Sequence, residues 1–184
     1  VQGVDITIWN TESVRDLMIT KFPSKVIAAF DSMKMYPWKA ELARYCILFE
    51  HGGFYSDFGI TFIKKIEPGD VDLLVFRDNP VQQLFNEDFV IQTALIFAKP
   101  KNNLIYETII ALSDIYNSRE YGNYPFYVTG EEQLARAIQL SKVNNVLFGE
   151  FGENFVSVEN LYNDKQILEY KINDELVALF KSVK

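Results

Sequence analysis

The segment Lys39–Phe62, KAELARYCILFEHGGFYSDFGITF, constrains this chain more than any other. Its first half is apolar at most positions from Ala40 to Phe49, yet it carries Glu41 and Arg44. On a helix those two side chains lie about 60° apart, on one face. A helix this apolar is buried over much of its circumference, and charges in that setting need partners. The plain alternative is an ordinary Glu–Arg bridge, which on a surface contributes only about 0–1 kcal/mol. Gly52 is suited to end the helix in a left-handed conformation. The strand that follows sorts by parity. Phe54, Ser56, Phe58, Ile60 and Phe62 share one face, expected in the core, while Tyr55, Asp57, Gly59 and Thr61 share the other. A phenol, a carboxylate, a gap and a hydroxyl thus stand in a row. The Gly-Gly turn brings that row close to Glu41 and Arg44, and the two elements are expected to converge on one cleft.

Around this segment, short apolar runs alternate with helical ones, which predicts an α/β or mixed layered domain. Asp5–Trp9 reads as a strand. Asn10 or Thr11 caps a helix reaching Lys21, and a second helix covers Ser24 to Met33. Pro37 precedes the helix Lys39–His51. Val71–Phe76 and Phe89–Ala98 read as buried strands, and Asn103 is placed to cap a helix from Leu104 to Tyr116. Thr129-Gly130-Glu131-Glu132 fits a capping box opening a helix to Leu140. Asn154–Val158 reads as a strand and Lys165–Lys184 as a polar amphipathic stretch. A length of 184 residues fits one domain, taken as 1–184, with a sizeable core.

Composition narrows the function classes. Net charge is −7, which argues against broad nucleic-acid binding, since that needs a basic footprint. The single cysteine, Cys46, excludes an intrachain disulfide, and with one histidine, His51, it excludes a multi-His or Cys-based zinc site. No P-loop or GxGxxG fingerprint is present. Asp57-Phe58-Gly59 matches a kinase metal-binding string, but without the companion kinase motifs it reads as coincidence. No apolar run has the length of a transmembrane segment. The chain opens at Val1 without a signal-like stretch, so the expectation is an N-terminally trimmed domain, cytoplasmic or membrane-peripheral.

The run KAELARYCILFEHGGFYSD resembles the signature of DXD-type glycosyltransferases of family 32 and the sugar-binding-region proteins of capsular polysaccharide synthesis. Glu41, Arg44, Tyr45, Leu48, Gly52, Gly53, Phe54, Tyr55 and Asp57 follow that pattern in register. ITIWN, VIQTALIFAKPKN and YVTGEEQLARAI resemble further family segments, extending the match over roughly residues 5 to 140. The resemblance implies a GT-A-like α/β fold, possessing a mixed central sheet flanked by helices and lacking the family's first strand. It implies transfer of a hexose, with retention, from a nucleotide-sugar donor to a glycan, lipid or protein acceptor. A non-catalytic sugar- or nucleotide-binding module of the same fold is the alternative.

By that resemblance Glu41 holds sugar hydroxyls, Arg44 meets the donor's sugar or diphosphate, and Tyr55 and Trp9 line the donor side. Asp57 contacts ribose, sugar or a metal. Mn²⁺ or Mg²⁺ is the implied cofactor, with Asp57 as its ligand. The second motif aspartate is Gly59 here, and a hard cation wants several oxygens, so Asp70, Asp72 or Asp78 is a candidate replacement. Gln92 and Thr93, polar residues in an apolar strand, either line the pocket or are satisfied core groups. Thr129 and Gly130 are expected at the acceptor or pocket side. Tyr121–Tyr127 either stacks an acceptor sugar or packs on itself. Lys64 and Lys65 either approach phosphate or form a solvated turn.

Overall fold

The computed structural model describes residues 5–57, 60–62, 66, 68–78, 90–121, 129–141, 145–151, 156–157, 168–170 and 181–183. Strand β1 (Ile6–Ile8) is followed by α1 (Thr11–Lys21), α2 (Ser24–Ser32) and α3 (Tyr36–His51). Next come β2 (Gly53–Ser56), β3 (Ile60–Phe62), β4 (Leu73–Asp78), β5 (Ile91–Ala98), α4 (Asn103–Ser118) and α5 (Gly130–Leu140). Strands β6 (Val146–Phe151), β7 (Val156–Ser157), β8 (Leu168–Tyr170) and β9 (Lys181–Val183) complete the described elements.

The strands form one sheet in the order β1-β9-β2-β5-β4-β6-β7-β8-β3. It is mixed: β4 and β6 run parallel, from Leu73 opposite Val146 to Asp78 opposite Phe151, and the other pairs are antiparallel. The expected α/β class with a mixed sheet and flanking helices is therefore what the chain adopts. Buried side chains stand in two clusters on the sheet. The larger core packs α1 to α5 onto one face and includes Met18, Phe30, Leu42, Tyr45, Tyr55, Ile96 and Leu134. The smaller one gathers Phe54, Leu74, Phe76, Ala94 and Leu95.

Local chemistry sets the boundaries. Asn10 Oδ1 accepts the Ser13 amide at 2.8 Å while Ser13 Oγ accepts the Asn10 amide at 3.0 Å, so α1 opens on a reciprocal cap. Helix α3 starts three residues before the expected Lys39, because Pro37 sits in the first turn, where a missing N–H costs nothing. Gly52 ends it at φ +65°, and a Cβ there would lie 2.6 Å from Pro100 Cδ, so only glycine fits. The cap of α4 is Asn102, not Asn103: its Oδ1 accepts from the Leu104 and Ile105 amides at 2.9 and 3.2 Å.

Three expectations need correction. The strand read as Phe54–Phe62 is two elements. Strand β2 pairs with β5, the Ile60 amide turns back to the Asp57 carbonyl at 3.2 Å, and β3 pairs with β8 at the far edge. Parity therefore does not carry past Asp57. The face bearing Tyr55 is also not an open cleft wall, since Tyr55 is fully buried in the larger core. Within the polar tail, the described residues form β8 and β9, and β6 was not foreseen at all.

Candidate active site

Helix α3 and strand β2 are joined through Gly52 and Gly53, and a second tie fixes their angle. The Lys101 amide donates to the Phe49 carbonyl at 2.6 Å, locking the turn after β5 onto the end of α3. This clamp sets Arg44 above Tyr55. The guanidinium carbon lies 4.8 Å from the Tyr55 ring centroid. Arg44 Nη1 donates to the Thr93 carbonyl at 2.6 Å, and Nη2 meets Glu41 Oε1 at 2.9 Å. The Tyr55 hydroxyl donates to Asp57 Oδ1 at 2.5 Å. The Asp57 amide, one residue beyond β2, donates to the Ala94 carbonyl at 2.8 Å, which holds the carboxylate at the strand end. Glu41, Arg44, Tyr55 and Asp57 thus converge as expected from their sequence spacing.

Strand β5 and the first turn of α5 close the other side. Gln92 Nε2 donates to the buried Asp78 at 2.7 Å, while Gln92 Oε1 accepts the Ala94 amide at 2.9 Å. Thr93 Oγ1 reaches Glu131 Oε1 at 3.4 Å. Thr129 caps α5 by accepting the Glu132 amide at 3.4 Å. Gly130 then passes directly over the Glu41–Tyr45 pair. A Cβ on it would meet Glu41 Oε2 and would lie 2.8 Å from the Tyr45 hydroxyl. Thr93, Thr129 and Gly130 therefore sit with Glu41 and Arg44, and Gln92 joins them through β5. Trp9 lies elsewhere. Its ring packs 5.2 Å from His51, at the end of α3, about two helical turns from Arg44.

The electrostatics follow from burial and crowding. Burial opposes the Arg44 charge, but Glu41, Tyr55 and Asp57 outweigh it, so the guanidinium is held more firmly protonated than usual. Burial raises the Glu41 carboxyl. Arg44 pulls it down, Asp57 pushes it up again, and the net direction is upward. Burial also lifts Tyr45 and Tyr55 well above the ordinary phenol range, so both are neutral donors. Glu131 is raised to about 7, first by burial and then by Glu41, with Asp78 adding to it. Arg44 Nε and the Tyr45 hydroxyl, and Trp9 Nε1 away from the cluster, are buried without a hydrogen-bond partner among the described residues. Such atoms are costly to leave unmet and concentrate at functional sites.

Sequence reasoning gave no role to Glu131, or to Tyr45 beyond its place in the signature run. Tyr45 reads as core from its apolar neighbours, and Glu131 reads as an ordinary first-turn acid of a capped helix. The remaining acidic candidates divide. Asp78 faces the site through Gln92, whereas Asp70 and Asp72 pair with Lys99 at 2.8 and 2.9 Å. Among the described residues no group of three or more His, Cys, Asp or Glu side chains is placed to hold a metal ion. Asp57 alone, already bonded to Tyr55, does not fit a hard-cation cage. Gly59, Lys64, Lys65 and residues 122–127 of the aromatic loop lie outside the described residues.

No helix among the described residues is long and apolar enough to cross a membrane. No solved structure matches the chain. A protein named as an uncharacterized glycosyltransferase, from Acanthamoeba polyphaga mimivirus, is 33% identical over 64 residues. That match covers 35% of this chain and 26% of the relative, so the chain spans about a quarter of the relative's length. The segments VIQTALIFAKPKN and YVTGEEQLARAI lie outside the family match, but residues 2–82, which hold Glu41, Arg44, Tyr55 and Asp57, match the family described as the glycosyltransferase sugar-binding region containing DXD motif, and over that stretch the resemblance read from the sequence is borne out.

Proposed function

We propose that this chain is the donor-sugar-binding domain of a GT-A-like glycosyltransferase that moves a hexose from a nucleotide-sugar donor to an acceptor. One observation carries the reading: a buried Glu41–Arg44 pair lies over a Tyr55–Asp57 hydrogen bond, within a stretch similar to a glycosyltransferase sugar-binding region. A sugar presents vicinal hydroxyls that donate and accept at fixed spacing. Glu41 and Asp57 supply acceptors and Arg44 supplies rigid donors, all positioned before the ligand arrives. Four carboxyl groups, Glu41, Asp57, Asp78 and Glu131, share the region with Arg44. Arg44 is already paired with Glu41 and bonded to the Thr93 carbonyl, which favours a neutral sugar ring over the diphosphate as its partner.

In the transfer, the bond between the anomeric carbon and the diphosphate oxygen breaks. The acceptor oxygen bonds to that carbon and gives up its proton to the departing diphosphate oxygen, which has taken the electron pair of the broken bond. Glu41, Arg44 and Asp57 orient the ring, and orientation alone lowers such barriers substantially. Retention of anomeric configuration belongs to the same proposal and is read by proton NMR of the product.

Nucleotide release from a panel of uridine- and guanosine-diphosphate sugars tests the reading. At least one donor should be turned over, and Asp57→Ala should lower that rate at least about 100-fold, the size of a lost preorganised contact. Full turnover by a folded Asp57→Ala variant overturns it. Gly59, standing where the motif has its second aspartate, favours one second reading, a sugar-binding module without catalysis, for which calorimetry would show saturable sugar binding and no nucleotide release.

A further inference from the structure

Beside the carboxylate–guanidinium cluster lies a run of aromatic side chains that the donor reading does not use. Trp38 on the first turn of α3 is 37% exposed, and Tyr121, just past α4, is 47% exposed. Tyr116 lies between them. Its ring centroid is 6.0 Å from Trp38, inclined at 49°, and 5.9 Å from Tyr121, inclined at 64°. Tyr36, at the start of α3, is 77% exposed on the same helix end. The run adjoins the site. Trp38 stands three residues before Glu41 and shares its face of α3. Tyr116 is raised to about 12 by burial, then by Tyr121, then by Glu41, which places Glu41 within electrostatic reach of its hydroxyl.

We propose that Trp38 and Tyr121, braced by the buried Tyr116 ring that touches both, form a subsite for a neutral oligosaccharide acceptor, leading to the sugar held at Glu41 and Arg44. This rests on the glycosyltransferase reading for its role as an acceptor site, but not for its ligand class. A pyranose has an apolar C–H face and a rim of hydroxyls. Tryptophan and tyrosine match it with a broad apolar face and a polar edge, at little entropic cost. Arg44, the cation of the neighbouring cluster, is already paired with Glu41 at 2.9 Å and bonded to the Thr93 carbonyl at 2.6 Å, so it is not left to attract an anionic chain. An acyl chain would use only the apolar faces, whereas the hydroxyl rim of a sugar also hydrogen-bonds to such polar ring edges.

Calorimetric titration with maltotriose, mannotriose and cellotriose tests the ligand class without any donor or turnover. At least one should saturate with a dissociation constant at or below about 1 mM. Trp38→Ala and Tyr121→Ala should each weaken it at least about tenfold, and Trp38→Tyr should recover most of the loss. Absence of saturable binding by all three neutral probes overturns the proposal. So does tighter binding of sialyllactose, or phosphatidylcholine vesicle binding that depends on the same side chains. Thermal unfolding of each variant checks that it is folded. Where the chain also turns over a donor, Tyr121→Ala should raise the KM for the trisaccharide about tenfold while the donor KM stays within about twofold. A chain that binds trisaccharide but releases no nucleotide would sink the glycosyltransferase reading and leave the subsite standing.

Discussion

At the scale of single residues, Arg44 links stability to the proposed chemistry. Removing it leaves Glu41 buried without its cation, and breaking one side of a buried pair costs about 3–5 kcal/mol. Arg44→Ala should therefore lower the urea midpoint strongly. The double variant Glu41→Leu/Arg44→Met replaces the pair with apolar volume and should recover much of that stability while abolishing sugar binding. If the double variant still binds sugar, the pair is only a structural bridge. Glu131 gives a pH signature. Its carboxyl is raised to about 7 in the fold, from an ordinary value of 4.5. The folded state then holds more protons between those values, so stability is greatest below the lower one and declines as pH rises through the upper one. The contribution is at most about 3 kcal/mol, reduced because the side chain is partly solvated. Glu131→Gln should remove that part of the slope between about pH 4.5 and 7. Glu41, raised in the same direction, keeps the remainder, so an unchanged profile in the variant would place the titration elsewhere.

At the scale of elements, two glycines hold the site together, and they differ in legibility. Gly52 could be read as a helix end because glycine after a periodic apolar run is a local signal. Gly130 could not, because its need for a bare Cα comes from Glu41 and Tyr45, which are 89 and 85 positions away in the chain. Gly130→Ala should push the Glu41 carboxyl and the Tyr45 ring aside, destabilising the chain by about 1–3 kcal/mol as overpacking does. Sugar binding should fall further than stability does. Equal loss of both in a thermal-shift titration would reduce Gly130 to a packing role. The same contrast explains the rest of the comparison. Caps, prolines and apolar periods gave α1, α2, α3 and α5 nearly as found, since each is decided within a few residues. The break after β2, the pairing of β3 with β8 and the parallel strand β6 are decided by partners far along the chain. Gly149 and Glu150 disguise β6, and only the ladder to β4 makes it a strand. Within the site, the spacing of Glu41, Arg44, Tyr55 and Asp57 was readable because one tight turn joins their elements. Glu131 was not, because α5 returns to them only in the folded molecule.

At the scale of the whole molecule, the two cores predict where rigidity lies and why the site is built there. Strands β2, β5 and β4 sit at the junction of both cores, and the buried side chains of Tyr55, Leu74, Val75, Leu95 and Ile96 are inaccessible to solvent. Strand β1 carries Ile6 and Ile8 at 52% and 62% exposure, so little packing resists its opening. Amides in such junction strands exchange only when the whole domain unfolds, whereas weakly packed edges open locally. Hydrogen exchange followed by NMR should show the slowest amides at Ser56, Leu95 and Ile96, and faster exchange by orders of magnitude at Thr7 and Ile8. Asp57 and Thr93 belong to the slow unit through their backbone, because the Asp57 amide is bonded to Ala94 and the Thr93 carbonyl takes Arg44. The polar groups proposed to grip a sugar therefore stand on the most persistent part of the fold and keep their spacing without ligand. Equal protection of β1 and β5, or rapid exchange at Ser56, would mean that the spacing of Arg44 and Asp57 is not preset and that a ligand must organise it.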